Sequence, residues 1–132
     1  MLKIHCIVIA RLKSKRLKKK CLLPLGEYNL TSFLINRLKS FEYKNSELTT
    51  TFATSYLGSD YELYENIKQI NYSYQGSPTD VISRMLDADK KRNINCDYFL
   101  RVTADNPFTD TLGIINLANS IIEKKYFCNI KL

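Results

Sequence analysis

Apolar runs that suit buried strands alternate along this chain with segments that suit amphipathic helices. Strands are predicted at residues 4–10, 48–54, 72–74, 97–102 and 126–130. Helices are predicted at about 29–39, 59–70 and 111–124, and a further helix starts at residues 77–80 and includes Ala88. The first helix is predicted to begin at Asn29 or Thr31, and the second behind a capping box at residues 59–62. This alternation favours a single α/β domain over residues 1–132 with a mainly parallel sheet.

Four loops follow the predicted strands and are therefore the candidate ligand sites. In open α/β sheets, ligands bind beyond the carboxyl ends of the strands. The rule selects residues 11–27, 55–59, 75–80 and 103–110.

Composition excludes several classes of protein. Of the 132 residues, 45% are hydrophobic and 25% are charged, which argues against disorder. No apolar stretch is long enough to span a bilayer, and the N-terminus lacks the features of a secretory signal, so we expect a cytoplasmic location without a membrane partner. The net charge of +7 favours anionic partners.

The cysteines and the single histidine are predicted to be structural. The cysteines are Cys6, Cys21, Cys96 and Cys128, and no two are spaced as CxxC, so the pattern gives little support to a zinc site. We expect reduced, largely buried thiols. His5 alternates with strand residues and has no Cys or Asp close to it in sequence that would suggest a metal site.

Positive charge concentrates directly after the first predicted strand. Seven of the eleven residues in ARLKSKRLKKK, residues 10–20, are Arg or Lys. Arg11 and Arg16 offer forked donors for phosphate oxygens, and Lys20 offers a mobile point charge. Neither a Walker loop nor GxGxxG is present. A solvated charge run, a nucleic-acid patch and a phosphate-binding loop are the three interpretations.

Two later loops carry weaker signals. Asp105 follows a predicted buried strand, where a carboxylate can hold Mg²⁺ against nucleotide phosphates. The alternative is an Asx turn, because Asp-Asn-Pro is typical turn chemistry. Gly76 would let a ligand approach the backbone, although capping of the following helix by Ser77 and Pro78 also explains its segment.

The run IARLKSKRLKKKCLLPLG resembles the nucleotide-binding signature of the cytidylyltransferases that activate acidic sugars. That family includes acylneuraminate and 3-deoxy-manno-octulosonate cytidylyltransferases and the SpsF-type spore-coat polysaccharide proteins, which are the most similar in wording. Three more segments resemble family motifs in the same order: ATS at 53–55, GSPTDVISR at 76–84 and RVTADNPFTD at 101–110. The resemblance covers nearly all of this chain and the N-terminal, nucleotide-binding half of the family's domain.

The resemblance implies a three-layer, Rossmann-like nucleotide-diphospho-sugar transferase (GT-A-like) fold, apparently truncated. It implies Mg²⁺-dependent transfer from CTP to an acidic sugar, giving a CMP-sugar and pyrophosphate for cell-surface polysaccharide biosynthesis. Asp105 would bind the metal, and Arg11 and Lys20 would be the catalytic cations. The nucleotide-binding positions it implies are Ala10, Arg11, Ser14, Arg16, Lys20, Thr54, Gly76 and Asp80.

Departures from the family pattern keep other functions open. Lys18-Lys19 replaces the family's Pro-Gly, which predicts a reshaped loop, and Ala104 replaces a Gly. Because the family's C-terminal half is missing, a non-catalytic remnant is one alternative. The sequence does not decide the oligomeric state, and a homodimer is one expectation. A basic RNA- or DNA-binding module is the other alternative, disfavoured because the tyrosines are not interleaved with the basic loop.

Overall fold

Four parallel strands form the central sheet of the computed structural model, which describes residues 2–13, 16–41 and 46–124, the last four in backbone only. The strands are β1 (Leu2–Ile9), β2 (Pro24–Leu25), β3 (Tyr28–Asn29), β4 (Ser46–Ser55), β5 (Ser73–Gly76) and β6 (Tyr98–Thr103). The helices are α1 (Leu30–Ser40), α2 (Tyr61–Lys68), α3 (Val81–Arg92) and α4 (Thr111–Lys124). The strand predicted at 126–130 lies outside the described residues.

The order of strands in the sheet is β5-β4-β1-β6. The chain moves outward from β1 through β4 to β5 and then returns to place β6 on the other side of β1. The direction of winding therefore reverses between β1 and β6. Such a reversal is the position where open α/β sheets bind ligands.

Helices cover both faces of the sheet, which confirms the predicted three-layer α/β fold. Leu34 of α1, Leu63 of α2 and Ile115 of α4 share one buried cluster with Val8 of β1. Met85 of α3 packs on the opposite face in a second cluster. A right-handed crossover that reverses direction must pass over the other face, which explains why α3 stands apart from α1 and α2.

The basic loop contains structure that the sequence did not predict. Residues 11–27 were predicted as loop, but Lys20–Leu22 forms a 3-10 turn, and β2 and β3 form a short antiparallel hairpin. Strands of two residues give no periodicity from which they could be recognised. Asn29 then caps α1 in a reciprocal pair with Ser32, as one of the two predicted starts requires.

The predicted capping box at residues 59–62 is wrong. Gly58–Asp60 forms a 3-10 turn, and α2 begins at Tyr61 with no side-chain cap. The carboxylate of Asp60 is instead hydrogen-bonded to the loop after β1. An isolated motif cannot show that a distant partner takes the capping group.

The helical periodicity of the sequence predicts a buried face of α3 made of Val81, Ile82, Met85, Leu86 and Ala88, and this prediction is partly wrong. Ile82 and Leu86 are 69% and 47% exposed, whereas Arg84 is 2% exposed. The helix begins at Val81 with Asp80 as its cap, so Pro78 precedes it and does not occupy its first turn. Sequence patterning assigns arginine to the solvent face, and that assignment fails here.

None of the described helices is long and apolar enough to cross a membrane.

Candidate functional site

A cleft of about 330 Å³ opens beyond the carboxyl ends of β1 and β6, where the winding of the sheet reverses. It brings residues 9–21 together with Arg84 and residues 103–105, which are far from them in sequence. Its lining residues are Ile9, Ala10, Arg11, Lys13, Lys20, Cys21, Arg84, Thr103, Ala104 and Asp105. Four of the residues implied by the family resemblance, Ala10, Arg11, Lys20 and Asp105, therefore share one site.

The charges of the cleft favour an anion. Four cationic side chains line it, from Arg11, Lys13, Lys20 and Arg84, against the carboxylate of Asp105. A concave site lined mainly by one sign of charge concentrates ligands of the other sign. Forked guanidinium groups and mobile ammonium groups together suit phosphate oxygens.

Asp60 fixes the start of the loop after β1. Its carboxylate accepts hydrogen bonds from Arg11 Nε at 2.9 Å, from the Leu12 amide at 2.7 Å and from Ser55 Oγ. Arg11 also donates through Nη1 to the Pro78 carbonyl at 3.0 Å. Arg11 thus ties three loops together, and its remaining N–H groups are free of these anchoring bonds.

The surroundings of Asp60 keep its carboxylate charged. Burial by itself would raise the pKa of this carboxyl group, but the hydrogen bonds from Ser55, Arg11 and Leu12 and the charge of Arg11 together lower the pKa below its ordinary value. The side chain of Asp60 has no exposed surface. A charged carboxylate in this position balances the positive charge of Arg11 through the contact with its Nε.

Arg84 is a buried cation in the wall of the cleft. Its Nη1 donates to the Ser77 carbonyl at 3.0 Å, while its buried Nε has no hydrogen-bond partner among the residues that the structure describes. Burial and then the charge of Arg11 lower the pKa of Arg84, although a guanidinium group stays protonated in proteins. An unpaired buried donor is unfavourable, and such donors are often found at sites that bind a ligand.

Gly76 makes room for Arg84. A Cβ at Gly76 would lie 2.9 Å from Arg84 Cγ and 2.7 Å from Tyr74 Cε1. In the same segment, Ser77 supplies the carbonyl for Arg84, and Asp80 caps α3 through the Ser83 amide at 2.9 Å. The segment GSPTDVISR therefore builds a support that holds one arginine at the cleft.

Lys20 and Asp105 face the cleft without competing partners. Among the described residues, neither side chain makes a hydrogen bond or an ion pair, so the Asx-turn interpretation of Asp105 has no hydrogen bond to support it. The turn is closed instead by a backbone hydrogen bond in which the Asn106 amide donates to the Thr103 carbonyl at 3.3 Å. Arg37 of α1 holds the end of this loop through the Pro107 carbonyl at 3.0 Å.

Lys19 has the backbone conformation that glycine usually supplies. Its φ and ψ are 53° and 37°, in the left-handed region. Its Nζ forms an exposed ion pair with Glu62 at 2.7 Å. The left-handed turn explains why a glycine suits this position in the family pattern. The lysine adopts the left-handed conformation itself, at some cost in strain.

Other residues implied by the resemblance lie outside the cleft lining. Arg16 is exposed, and Asp80 is exposed at the start of α3. Thr54 is fully buried in β4, and its hydroxyl oxygen has no hydrogen-bond partner in the described part of the chain. Gly76 is buried behind Arg84. Ser14 lies outside the described residues, and the role of each of these positions stays a prediction.

Sequence reasoning missed three contributors: Lys13, Asp60 and Arg84. For Arg84 a signal existed, because it closes the GSPTDVISR segment that matches a family motif. For Asp60 the misleading signal was a capping pattern, while its partner Arg11 lies 49 residues away.

The fold and the cleft define a Rossmann-like α/β protein with a cationic ligand site at the switch point of its sheet. Residues 5–131 match the model of the cytidylyltransferase family, and the chain belongs to that family. The chain is also 34% identical over 109 residues to MJ1063, an uncharacterized protein of Methanocaldococcus jannaschii. The aligned residues are 82% of this chain and 43% of that protein.

Two solved structures share the fold. A cytidylyltransferase from Leptospira borgpetersenii superposes with a TM-score of 0.78 at 27% identity, covering 95% of this chain and 51% of that one. CMP:2-keto-3-deoxy-manno-octonic acid synthetase complexed with CTP superposes with a TM-score of 0.70 at 14% identity, covering 95% and 49%. The chain thus spans about half the length of these structures.

Proposed function

We propose that the cleft between β1 and β6 binds CTP and that this chain is the nucleotide-binding half of a CTP-dependent sugar nucleotidyltransferase. The observation that carries the proposal is the convergence of Arg11, Lys20, Arg84 and Asp105 on one cleft. Family membership supports cytidine as the base, and the neighbour solved with CTP has the same fold. The reaction would be attack by a sugar hydroxyl on the α-phosphate, giving a CMP-sugar and pyrophosphate.

The cationic side chains have distinct parts in this proposal. Lys20 is a mobile charge for the pyrophosphate that leaves, and Arg11 is held rigidly by Asp60 so that its remaining donors stay oriented. Arg84 offers the unpartnered Nε–H to an oxygen of the ligand. Such a transfer depends on positioning and on charge stabilisation, and a preorganised cationic cleft supplies both.

The donors of the cleft fit a magnesium ion brought with the nucleotide. Mg²⁺ in nucleotide sites is held by one or two carboxylates together with substrate phosphates. Asp105 is exposed at the cleft and is not engaged by a described side chain. Bound there, the ion would neutralise phosphate charge and polarise the bond to the leaving group.

Calorimetric titration with CTP tests the proposal. We expect Mg²⁺-dependent binding that Lys20→Gln weakens and that becomes independent of Mg²⁺ in Asp105→Asn. Lys18→Gln is the matched control, because Lys18 is an exposed lysine outside the cleft lining. Equal losses in the two lysine variants would indicate general electrostatic attraction, and a lack of CTP binding by the wild-type chain would refute the proposal.

Three further measurements define the nucleotide and the role of the chain. UTP titration tests the base preference, and a salt titration with RNA, with and without CTP, separates nucleotide binding from nucleic-acid binding. Release of pyrophosphate with an acidic sugar would extend the proposal from binding to catalysis. We further propose that the reaction serves the biosynthesis of cell-surface polysaccharide in the cytoplasm, which this assay does not test. CTP binding without such release would favour a non-catalytic nucleotide-binding remnant.

A further inference from the structure

A second cluster of reactive side chains lies away from the cleft, between β1 and the C-terminal half of α3. His5 is fully buried in β1, and its Nδ1 lies 2.5 Å from Asp89 Oδ1. Cys96, in the segment between α3 and β6, completes the group: one ligand atom from each of the three residues lies within 4.8 Å of the others. His5 precedes Ile9 by four strand positions, so the cluster is roughly 13 Å from the cleft along β1.

The environment of the His5 ring suits coordination through Nδ1. The other ring nitrogen, Nε2, lies 2.6 Å from Thr51 Oγ1. Histidines that bind metals normally donate their second N–H to an oxygen acceptor, which fixes the ring. Thr51 is itself held by Arg92 Nη1 at 2.8 Å. The outer support that a metal ligand needs is therefore already built.

The three groups also differ in a way that selects a kind of ion. An imidazole nitrogen, a thiol sulfur and a carboxylate oxygen together suit Zn²⁺ and its analogue Co²⁺, whereas Mg²⁺ and Ca²⁺ prefer oxygen alone. The side chain of Asp89 is 30% exposed and Cys96 is half-buried, so the cluster can be reached from solvent. Three protein ligands leave one tetrahedral position for water.

We propose that His5, Asp89 and Cys96 form a binding site for a zinc-type divalent cation, separate from the nucleotide cleft. The cation would bind Nδ1 of His5 in the tautomer that carries its proton on Nε2 and donates it to Thr51 Oγ1, and Cys96 would bind as the thiolate with release of its proton. Ligand atoms around tetrahedral zinc lie roughly 3.3–3.8 Å apart, so the group must adjust by about 1 Å. Asp89 lies in α3 and Cys96 in the segment that follows this helix, which allows that adjustment.

Titration of the metal-free protein with Co²⁺ tests the site, because a cobalt–thiolate bond gives a charge-transfer band in the near ultraviolet. We expect one equivalent to produce the band, Cys96→Ser to abolish it, and Cys21→Ser to keep it. Competition with Zn²⁺ should remove the band. Failure of the wild-type protein to give the band, or its persistence in Cys96→Ser, would overturn the proposal.

A second pair of variants avoids replacing a buried residue. Asp89→Asn keeps an oxygen that can accept from His5 but removes the charge, and we expect it to weaken Co²⁺ binding by more than tenfold. Asp87→Asn makes the same change on the same helix at an exposed position outside the cluster, and it should bind as the wild type does. Equal affinities in the two variants would contradict the site.

Discussion

The substitution Gly76→Ala tests whether the wall of the cleft is built as described. A methyl group at this position would approach Arg84 Cγ to 2.9 Å and Tyr74 Cε1 to 2.7 Å, and both distances are shorter than carbon atoms tolerate. The Arg84 stem has little freedom to move, because its guanidinium group is buried and bonded to the Ser77 carbonyl. The backbone at Gly76 does not have a positive φ, so the steric conflict alone is tested.

The expected magnitude follows from two opposing effects. Overpacking of a filled site costs about 1–3 kcal/mol, and replacing glycine by alanine in a compatible backbone returns about 0.4–1 kcal/mol through the unfolded chain. We therefore expect Gly76→Ala to lower the free energy of unfolding by about 1–2 kcal/mol. CTP affinity should fall as well, because Arg84 is displaced.

Gly58→Ala is the matched control. A Cβ at Gly58 would meet no atom of the described residues within 4 Å, so the free energy of unfolding of this variant should stay unchanged or rise slightly. Urea unfolding of both variants and calorimetry with CTP measure the two effects. If Gly76→Ala were as stable as Gly58→Ala and bound CTP with wild-type affinity, the packing of Gly76 on Arg84 would be refuted.

Three further substitutions test single elements of the site. Hydrogen bonds hold the pKa of Asp60 below its ordinary value of 3.8, so its contribution to stability is complete above that pH and is lost as the pH falls through the pKa of the folded state. Asp60→Asn should therefore reduce the loss of stability that urea unfolding measures between pH 5 and pH 2, and an unchanged pH dependence would contradict this effect. Lys19→Val should lower the free energy of unfolding by about 1–2 kcal/mol, since a β-branched residue resists the left-handed conformation. Lys18→Val should have little effect, and equal losses in the two variants would contradict the assignment of backbone strain to Lys19. Arg84→Lys keeps the positive charge but loses the forked donors of the guanidinium group, so CTP affinity should fall by about tenfold or more. Arg92→Lys, on the same helix but outside the cleft, should keep the wild-type CTP affinity, and equal affinities of the two variants would show that Arg84 is not part of the site.

Local pattern predicted β1, β4, β5, β6 and the four helices because their causes are local, whereas the two-residue strands β2 and β3 carry no periodicity that reveals them. The β-branched run predicted at 4–10 is β1, and the predicted start of α1 at Asn29 is its observed cap. The remaining errors of prediction occur where a residue distant in sequence determines the local contacts. Asp60 fits a capping pattern, yet its carboxylate binds a loop almost fifty residues earlier. His5 and Asp89 are 84 positions apart, a separation that conceals their contact from any motif.

The burial of Arg84 shows why the candidate site was harder to predict than the fold. Hydrophobic periodicity assigns Ile82 and Leu86 to the core because folding in general favours apolar burial. The chain buries the arginine instead, and Gly76 leaves room for its stem. Burying a cation with an unpartnered Nε does not stabilise the fold by itself, so the arrangement is better explained by a ligand that supplies the missing acceptor. The local departure from ordinary patterning and the cationic cleft both agree with the proposed anionic ligand beyond the carboxyl ends of β1 and β6.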